Sequence, residues 1–239
     1  VIHEQNSIAG LTNRLLAPIA NRVLEAFPGS LKPKYRPLHT GNPVRTAIAA
    51  LASLARPSHA GPLRLLVLGG SRGARALNEV VPRALATLAT AQRPEVWHQT
   101  GAQHVTAAQQ EYRAARVTAR VAPFIDDMAA AYSWADLVLC RAGALTIAEL
   151  ACAGVASILV PYPFAVDDHQ TSNARYLRDA HAALLLPQSQ LTPHALATLL
   201  SELQRSPERL HAMAAAAHTL AQPHATSRVT DVCREVAHV

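Results

Sequence analysis

Short apolar runs alternate with amphipathic segments along most of the chain. Residues 63–68 form one such run, and the segment 77–88 that follows carries apolar residues at helical spacing. The alternation continues to residue 186 and predicts six strands, at 63–68, 96–99, 117–121, 137–140, 157–160 and 183–186. Continuous apolar strands separated by helices are typical of a parallel sheet that helices cover on both faces. The pattern therefore predicts an α/β fold.

The two ends of the chain also show regular patterns. The first part predicts a helix at 13–19 and three short strands, at 1–3, 22–26 and 38–40. Residues 57–62 concentrate Pro, Ser and Gly, which favours a linker. The last part predicts three helices, which begin at Pro193, Pro207 and Ala225. Each of the two prolines follows a residue that caps helices well, Thr192 or Ser206.

Residues 140–150 combine the end of an apolar strand, a small-residue turn and the start of a helix. The helix is expected to begin near Ala144 and to end at Gly154. Its free N–H groups would lie at the carboxyl edge of the sheet, where open α/β sheets bind ligands and where a helix N-terminus favours an anion. Glu149 lies one turn further on and would accept hydrogen bonds from hydroxyl groups. The stretch predicts a site for a phosphorylated sugar or a nucleotide.

The turn Gly69-Gly70-Ser71 is a second candidate for phosphate binding, because it follows a strand and opens a helix. It matches neither the dinucleotide-binding fingerprint nor a P-loop. Its backbone N–H groups and one hydroxyl could still contact a phosphate. A tight turn without a ligand is the alternative interpretation.

Two further loops follow predicted strands. Phe124 and Ile125 could flank a flat base, although the carboxylates that follow them could simply cap the next helix. Gln170 and Asn173 are amides near a helix start and suit sugar hydroxyls, while the acids before them favour capping equally. Arg45 could clamp a phosphate, or could be an ordinary surface residue.

Composition narrows the range of ligands. The chain has 239 residues and a formal charge of +6, but its basic residues are scattered and aromatic residues make up only 4%, which argues against nucleic-acid binding. An anionic substrate or an anionic membrane surface fits the charge better. The three cysteines and the histidines lack metal-ligand spacing, so we expect neither a metal nor a cofactor. No apolar run approaches the length of a membrane span.

Taken together, the polar loops resemble those of the MurG family, which adds N-acetylglucosamine to undecaprenyl-pyrophosphoryl-muramoyl-pentapeptide in peptidoglycan synthesis. The resemblance extends along the whole chain, because six motifs occur in the family's order. They are His3-Glu4-Gln5-Asn6, Gly41-Asn42-Pro43-Val44-Arg45, Gly69-Gly70-Ser71, Phe124-Ile125-Asp126-Asp127-Met128, residues 141–149 and Asp168-His169-Gln170.

The resemblance implies a GT-B glycosyltransferase, in which two Rossmann-like domains enclose a cleft. Residues 45–223 would form the domain that binds UDP-N-acetylglucosamine (UDP-GlcNAc). Residues 1–44 would be the end of the acceptor and membrane domain, and the helix in 224–239 would pack back on it. The expected partners are UDP-GlcNAc, the lipid-linked muramoyl-pentapeptide and the cytoplasmic face of the bacterial inner membrane, as a peripheral contact through the first domain.

The resemblance also implies roles for individual residues. In the donor site it places the diphosphate at Ser71 and the uracil at Ile125. It places the ribose at Glu149 and the sugar hydroxyls at Gln170. It places the phosphate and sugar also at the start of the helix, on Ala144, Leu145 and Thr146. Two more residues line the donor site, Asn6 and Arg45. The cleft residues with a tentative catalytic role are His3 and Glu4.

Two departures from the family pattern affect the functional prediction. Arg72 stands where Gln is common, which adds a charge near the diphosphate. The family's N-terminal Gly-rich loop, with the His proposed as general base, has no counterpart in this chain, so we expect donor binding without transfer by the chain alone. The alternatives are the donor-binding module of a split glycosyltransferase and a UDP-GlcNAc 2-epimerase.

Overall fold

The computed structural model describes residues 1–56, 61–70, 73–164 and 168–237. The strands are β1 (Ile2–Glu4), β2 (Val23–Glu25), β3 (Leu38–His39), β4 (Arg64–Leu68), β5 (Glu95–Gln99), β6 (Arg120–Ala122), β7 (Leu137–Cys140), β8 (Ala156–Leu159) and β9 (Ala183–Leu185). The helices are α1 (Leu11–Leu16), α2 (Thr46–Ala49), α3 (Arg75–Ala86), α4 (Val105–Ala114), α5 (Met128–Trp134), α6 (Ala144–Ala153), α7 (His169–Asp179), α8 (Pro193–Gln204), α9 (Pro207–Thr219) and α10 (Ala225–Ala237).

The larger sheet contains six parallel strands in the order β6-β5-β4-β7-β8-β9. This is the strand order of Rossmann folds. From β4 the chain builds the sheet outward through β5 and β6, and then returns to the other side of β4 with β7. The α/β prediction with a parallel sheet is confirmed.

Alternate side chains of each central strand enter different cores, because successive residues of a strand point to opposite faces. On one face Leu65 and Val67 pack with α3, α4 and α8. On the other face Leu66 and Leu68 pack with α5, α6 and α7. Since helices cover both faces, β4 reads as a continuous apolar run, and four of its five residues are buried.

A smaller parallel sheet joins β1, β2 and β3 in chain order. It meets the larger unit at Gly41, whose φ is 78°, and a Cβ at this residue would overlap the Cβ of Gln222. Only glycine therefore permits this close approach. At the neighbouring position the Asn42 amide donates to Gln5 O (2.9 Å) and to Ala144 O (3.4 Å), which ties the two units together.

The predicted elements differ from the observed ones mainly at their ends. The strand predicted at 117–121 begins only at Arg120, because the chain leaves α4 through a left-handed residue, Arg116, whose φ is 51°. Thr192 caps α8 as predicted, with its hydroxyl accepting from Ala195 N. Ser206 precedes α9, but no side-chain cap forms there within the described part of the chain. Most of the predicted linker, residues 57–60, lies outside the described residues.

Candidate functional site

An open pocket lies at the carboxyl ends of β4, β5 and β7. The last residues of these strands, Leu68, Gln99 and Cys140, are register partners and line the pocket together. Since the strand order reverses between β4 and β7, the pocket occupies the crevice where open α/β sheets bind ligands. The other lining residues are Arg45, Gly70, Phe124, Ile125, Met128, Tyr132, Arg141, Thr146 and Glu149.

Helix α6 begins at this pocket with free backbone donors. Its first backbone bond runs from Ile147 N to Gly143 O (3.0 Å), so the N–H groups of Ala144, Leu145 and Thr146 precede the hydrogen-bonded turn. No side chain within the described ranges caps the helix. Thr146 lines the pocket, whereas Ala144 and Leu145 are not among its lining residues. The positive end of α6 is therefore open to an anion.

The turn after β4 brings a second helix start, that of α3, to the same edge. Gly69 N donates to Gln99 O (2.9 Å), and a Cβ at Gly69 would lie 3.0 Å from that oxygen, which explains the need for glycine. Gly70 lines the pocket in a left-handed conformation, with φ of 78°. Ser71, predicted to contact the diphosphate, and Arg72 lie outside the described residues.

The pocket brings together two residues that the sequence had placed in separate motifs, Arg45 and Glu149. Arg45 Nη2 lies 3.4 Å from Glu149 Oε1, and the other carboxylate oxygen, Oε2, accepts a hydrogen bond of 2.9 Å from the Tyr132 hydroxyl. The Glu149 side chain is 16% exposed and that of Arg45 is 53% exposed. The pocket thus contains an acceptor for hydroxyl groups beside a cation suited to phosphate.

The loop after β6 contributes an aromatic surface. Phe124 and Ile125 both line the pocket, but Ile125 is buried at 3% exposure whereas Phe124 is 53% exposed. Ile125 therefore forms part of the wall, and Phe124 offers the accessible ring. A flat base could stack on such a ring.

Gln170 connects two loops at the edge of the sheet. Its Oε1 accepts from Tyr162 N (2.9 Å) and from Ala142 N (3.3 Å). These bonds hold the turn before α6 against the loop after β8. Gln170 is not among the residues that line the pocket, so its contact with sugar hydroxyls stays a prediction.

Asn173, fully buried on α7, connects the smaller sheet to the same turn. Its Nδ2 donates to Ala142 O (3.2 Å) and to Asn6 Oδ1 (3.3 Å). Its Oδ1 accepts from the backbone N (2.9 Å) and the hydroxyl (2.8 Å) of Ser7. Asn6, predicted to line the donor site, is thereby positioned next to the turn that precedes α6.

The two tentative catalytic residues have structural contacts around the loop after β1. The buried Glu4 carboxylate accepts from Gly10 N and from Asn13 Nδ2, both at 2.9 Å. His3 Nε2 lies 3.0 Å from Gly41 O. These contacts account for both side chains without chemistry, and their catalytic role stays a prediction.

The sequence interpretation missed Tyr132 and Gln99 as pocket residues. Gln99 is a polar residue at the carboxyl end of a strand, where open α/β sheets bind ligands, and its position was a usable signal. The alanine-rich helix that contains Tyr132 gave no such signal. Burial first, and the Glu149 charge second, raise the pKa of Tyr132 well above its usual value. The same two causes raise the pKa of Cys140 to about 12. Both groups therefore stay protonated at neutral pH.

No metal centre is evident in the part of the chain that the structure describes. Within it, no three His, Cys, Asp or Glu side chains converge as metal ligands do. The arrangement can bind an anion and hydroxyl groups through protein donors and acceptors.

A family model described as the glycosyltransferase family 28 C-terminal domain matches residues 64–230. Relatives from Azotobacter vinelandii and Nitrosococcus oceani are 54% and 56% identical over 99% of this chain. Both are named UDP-N-acetylglucosamine–N-acetylmuramyl-(pentapeptide) pyrophosphoryl-undecaprenol N-acetylglucosamine transferase. The chain covers 66% and 67% of their lengths, and so spans about two thirds of the curated relatives that it matches.

Solved structures agree with this result. The crystal structure of Acinetobacter baumannii MurG has a TM-score of 0.83 and 45% identity, and the match covers 98% of this chain and 67% of that one. A Listeria monocytogenes protein provisionally assigned as a UDP-N-acetylglucosamine 2-epimerase has a TM-score of 0.62 and 16% identity, over 94% of this chain and 62% of that one. At that identity the likeness shows the fold alone. The resemblance and the GT-B-type fold expected from the sequence are confirmed, and the chain belongs to the MurG family of glycosyltransferase family 28.

Proposed function

We propose that the pocket between β4 and β7 binds UDP-GlcNAc as the donor of a glycosyl transfer. One observation carries the proposal: a single pocket combines the uncapped start of α6, the Glu149 carboxylate and the exposed ring of Phe124. An anion, vicinal hydroxyls and a flat base are the three parts of a nucleoside diphosphate. The names of the relatives that are 54% and 56% identical to this chain over the aligned residues support the same donor.

The geometry supports an order for the parts of the donor. The base lies against Phe124 and Ile125, and the ribose hydroxyls bind Glu149. The diphosphate lies at the start of α6 near Thr146, where backbone N–H groups and the helix dipole favour negative charge. Arg45, which now contacts Glu149, is close enough to the pocket to bind the diphosphate instead.

We infer that the whole protein transfers N-acetylglucosamine to the 4-hydroxyl of the muramoyl sugar, with inversion at the anomeric carbon. As the bond to UDP breaks, negative charge grows on the diphosphate. The N–H groups at the start of α6 and the Arg45 guanidinium are positioned to stabilise that charge. The attacking hydroxyl needs a general base, and binding both substrates across one cleft brings them into proximity.

We assign donor binding to residues 45–223 and expect this chain to bind UDP-GlcNAc without transferring the sugar. Residues 1–44 and the α10 segment are proposed to belong to the acceptor side of the cleft. The start of α10 supports this assignment, because Ala225 is buried and lies next to Gly41. We propose that the complete protein acts at the cytoplasmic face of the inner membrane. No helix within the described ranges is long and apolar enough to cross a membrane.

Calorimetry with UDP-GlcNAc, combined with a transfer assay on the lipid-linked muramoyl-pentapeptide, tests this proposal. We expect one binding site for the donor and no product from the acceptor. Absence of donor binding would overturn the assignment of the pocket. Turnover by this chain without added protein would overturn the division of function, and conversion of the donor to its 2-epimer would favour an epimerase.

A further inference from the structure

The Glu149 carboxylate is held in place by a hydrogen bond from a buried phenol, that of Tyr132. Tyr132 lies on α5 and is fully buried, and its hydroxyl donates to Glu149 Oε2 at 2.9 Å. We propose that Tyr132 is a positioning residue for donor recognition, which fixes the Glu149 carboxylate so that it distinguishes a ribose from a 2′-deoxyribose. The inference rests on the proposed function, because it assumes that Glu149 binds the ribose.

The two oxygens of the carboxylate have different environments. Oε2 is bonded to the buried hydroxyl of Tyr132, whereas Oε1 faces the half-exposed guanidinium of Arg45 at the longer distance of 3.4 Å. A long, solvated contact is the weaker of the two and is more easily replaced by a ligand. Oε1 is therefore the oxygen that receives the ribose hydroxyls, while Oε2 keeps the carboxylate in place.

The phenol is suited to this task because it keeps its proton and its position. Burial and the neighbouring Glu149 charge raise its pKa, so it remains a hydrogen-bond donor. The helix that carries it is fixed at both ends: Asp127 caps its start through Ala130 N (2.9 Å), and Arg56 donates to Tyr132 O (3.3 Å) near its end. A rigid donor on a packed helix holds a carboxylate more accurately than a solvated loop would.

Without the phenol, Oε2 would lose its donor inside the protein. An acceptor left without a partner in a buried place is costly, so the carboxylate would turn toward Arg45 and the solvent. The side chain would keep its charge but lose its orientation. The expected defect is therefore selective for the ribose and does not extend to the base or to the diphosphate.

The test compares the affinities of UDP and 2′-deoxy-UDP in wild type and in Tyr132→Phe by calorimetry. Wild type should prefer UDP, and Tyr132→Phe should lose about three- to thirtyfold of that preference, the range expected for one hydrogen bond. Tyr112→Phe is the matched control, because Tyr112 is also a buried phenol whose hydroxyl forms a hydrogen bond, with His98 Nδ1 at 2.9 Å, but lies outside the pocket lining. Tyr112→Phe should lower the melting temperature about as much as Tyr132→Phe does, but should keep the wild-type preference for UDP over 2′-deoxy-UDP.

The double variant Tyr132→Phe/Glu149→Ala separates positioning from general destabilisation. If Tyr132 acts through Glu149, the preference of the double variant for UDP over 2′-deoxy-UDP should be no smaller than that of Glu149→Ala alone. A further variant, Tyr132→Met, provides the same measurement if phenylalanine lowers the yield of folded protein. An unchanged preference in both Tyr132 variants would overturn the positioning role. A wild type that binds UDP and 2′-deoxy-UDP equally would overturn the ribose assignment itself.

Discussion

At the scale of single residues, Glu149 is the side chain on which the proposed specificity depends. Glu149→Ala should weaken UDP binding by about ten- to a hundredfold, because hydrogen bonds to a charged group contribute roughly 1.5–3 kcal/mol. Calorimetry with UDP measures the change. Glu79→Ala is the control, since Glu79 also pairs with an arginine, Arg75, at 2.6 Å on a helix but lies away from the pocket. Equal affinities of wild type and Glu149→Ala would assign Glu149 to helix stability instead.

His98 makes the stability of the fold depend on pH. Burial lowers its pKa to about 3, and its usual value is 6.5. The unfolded chain therefore takes up the proton first as the pH falls, and stability from the neutral imidazole is lost from pH 6.5 downward. Between pH 7.5 and 5 the loss from this group should be about 2 kcal/mol, measurable by urea unfolding.

A double variant isolates the contribution of this histidine. His98→Phe/Tyr112→Phe removes the imidazole together with its hydrogen-bond partner, so neither buried polar group is left alone. Its stability should change less between pH 7.5 and 5 than that of wild type. In His194→Gln, which changes an exposed histidine, the full dependence should remain. The same slope in the double variant as in wild type would contradict the assignment to His98.

The sequence located some residues of the pocket and not others for a physical reason. Glu149 could be located because its spacing from a strand end and a helix start places it one turn past the N–H groups. Tyr132 could not, because its partner lies 17 positions away and the pairing depends on how α5 packs against α6. The contact between Arg45 and Glu149, 104 positions apart, was equally invisible.

At the scale of elements, the start of α6 is proposed to act as the anion site. Gly143→Asp should place a carboxylate at the N-cap, where it accepts hydrogen bonds from the same N–H groups that the diphosphate is proposed to bind. A Cβ at Gly143 would lie 3.5 Å from Thr146 Oγ1, an ordinary contact, and φ there is −65°, so the new side chain fits. We expect a higher melting temperature together with a loss of UDP binding of at least about tenfold.

Two comparisons make this experiment specific to the diphosphate. Gly143→Asn caps the helix without a charge and should weaken UDP binding less than Gly143→Asp. Uridine, which has no phosphate, should bind both variants as it binds wild type. If UDP affinity survives in Gly143→Asp, the diphosphate does not bind at the start of α6.

Elements were predictable where a local rule decides them. The strand at 137–140, the helix that ends at Gly154 and the helix starts at Pro193, Pro207 and Ala225 follow from apolar runs and caps. The start of strand β6 was predicted too early, because the left-handed residue before it is Arg116 and not the glycine or asparagine that would indicate such a turn. The alternation of strands and helices predicts a parallel sheet but not the order of its strands. The pairing of β4 with β7 is known only from the folded structure.

At the scale of the molecule, the smaller unit exposes apolar side chains. No residue of α1 is buried: Leu11 and Leu15 are 65% and 66% exposed, and Ile19, just after the helix, is 77% exposed. Such a surface favours association. We predict that the chain self-associates with rising concentration in light-scattering measurements, and that Leu15→Lys/Ile19→Lys reduces the effect. Leu54→Lys, which changes an exposed leucine elsewhere on the surface, should not reduce self-association. A wild type that stays monomeric at high concentration would contradict the prediction.

Polar contacts around the proposed donor site connect the two sheets, in addition to the apolar packing of Phe27 on Tyr176. Asn173 links the turn before α6 to Asn6 and Ser7, and the Asn42 amide links Ala144, the first residue of α6, to the loop after β1. These partners are up to 167 positions apart, which is why the sequence could suggest a shared site but not its contacts. The turn before α6, next to the proposed donor pocket, is therefore connected to the smaller sheet.

A crystal structure of this chain with bound UDP-GlcNAc tests the central claim most directly. The account predicts the uracil against Phe124 and Ile125, the ribose within hydrogen-bond distance of Glu149 Oε1, and the diphosphate at the N–H groups that begin α6. Arg45 should leave Glu149 and contact the diphosphate. A donor bound elsewhere on the molecule, or in this pocket with its diphosphate away from α6, would contradict the account.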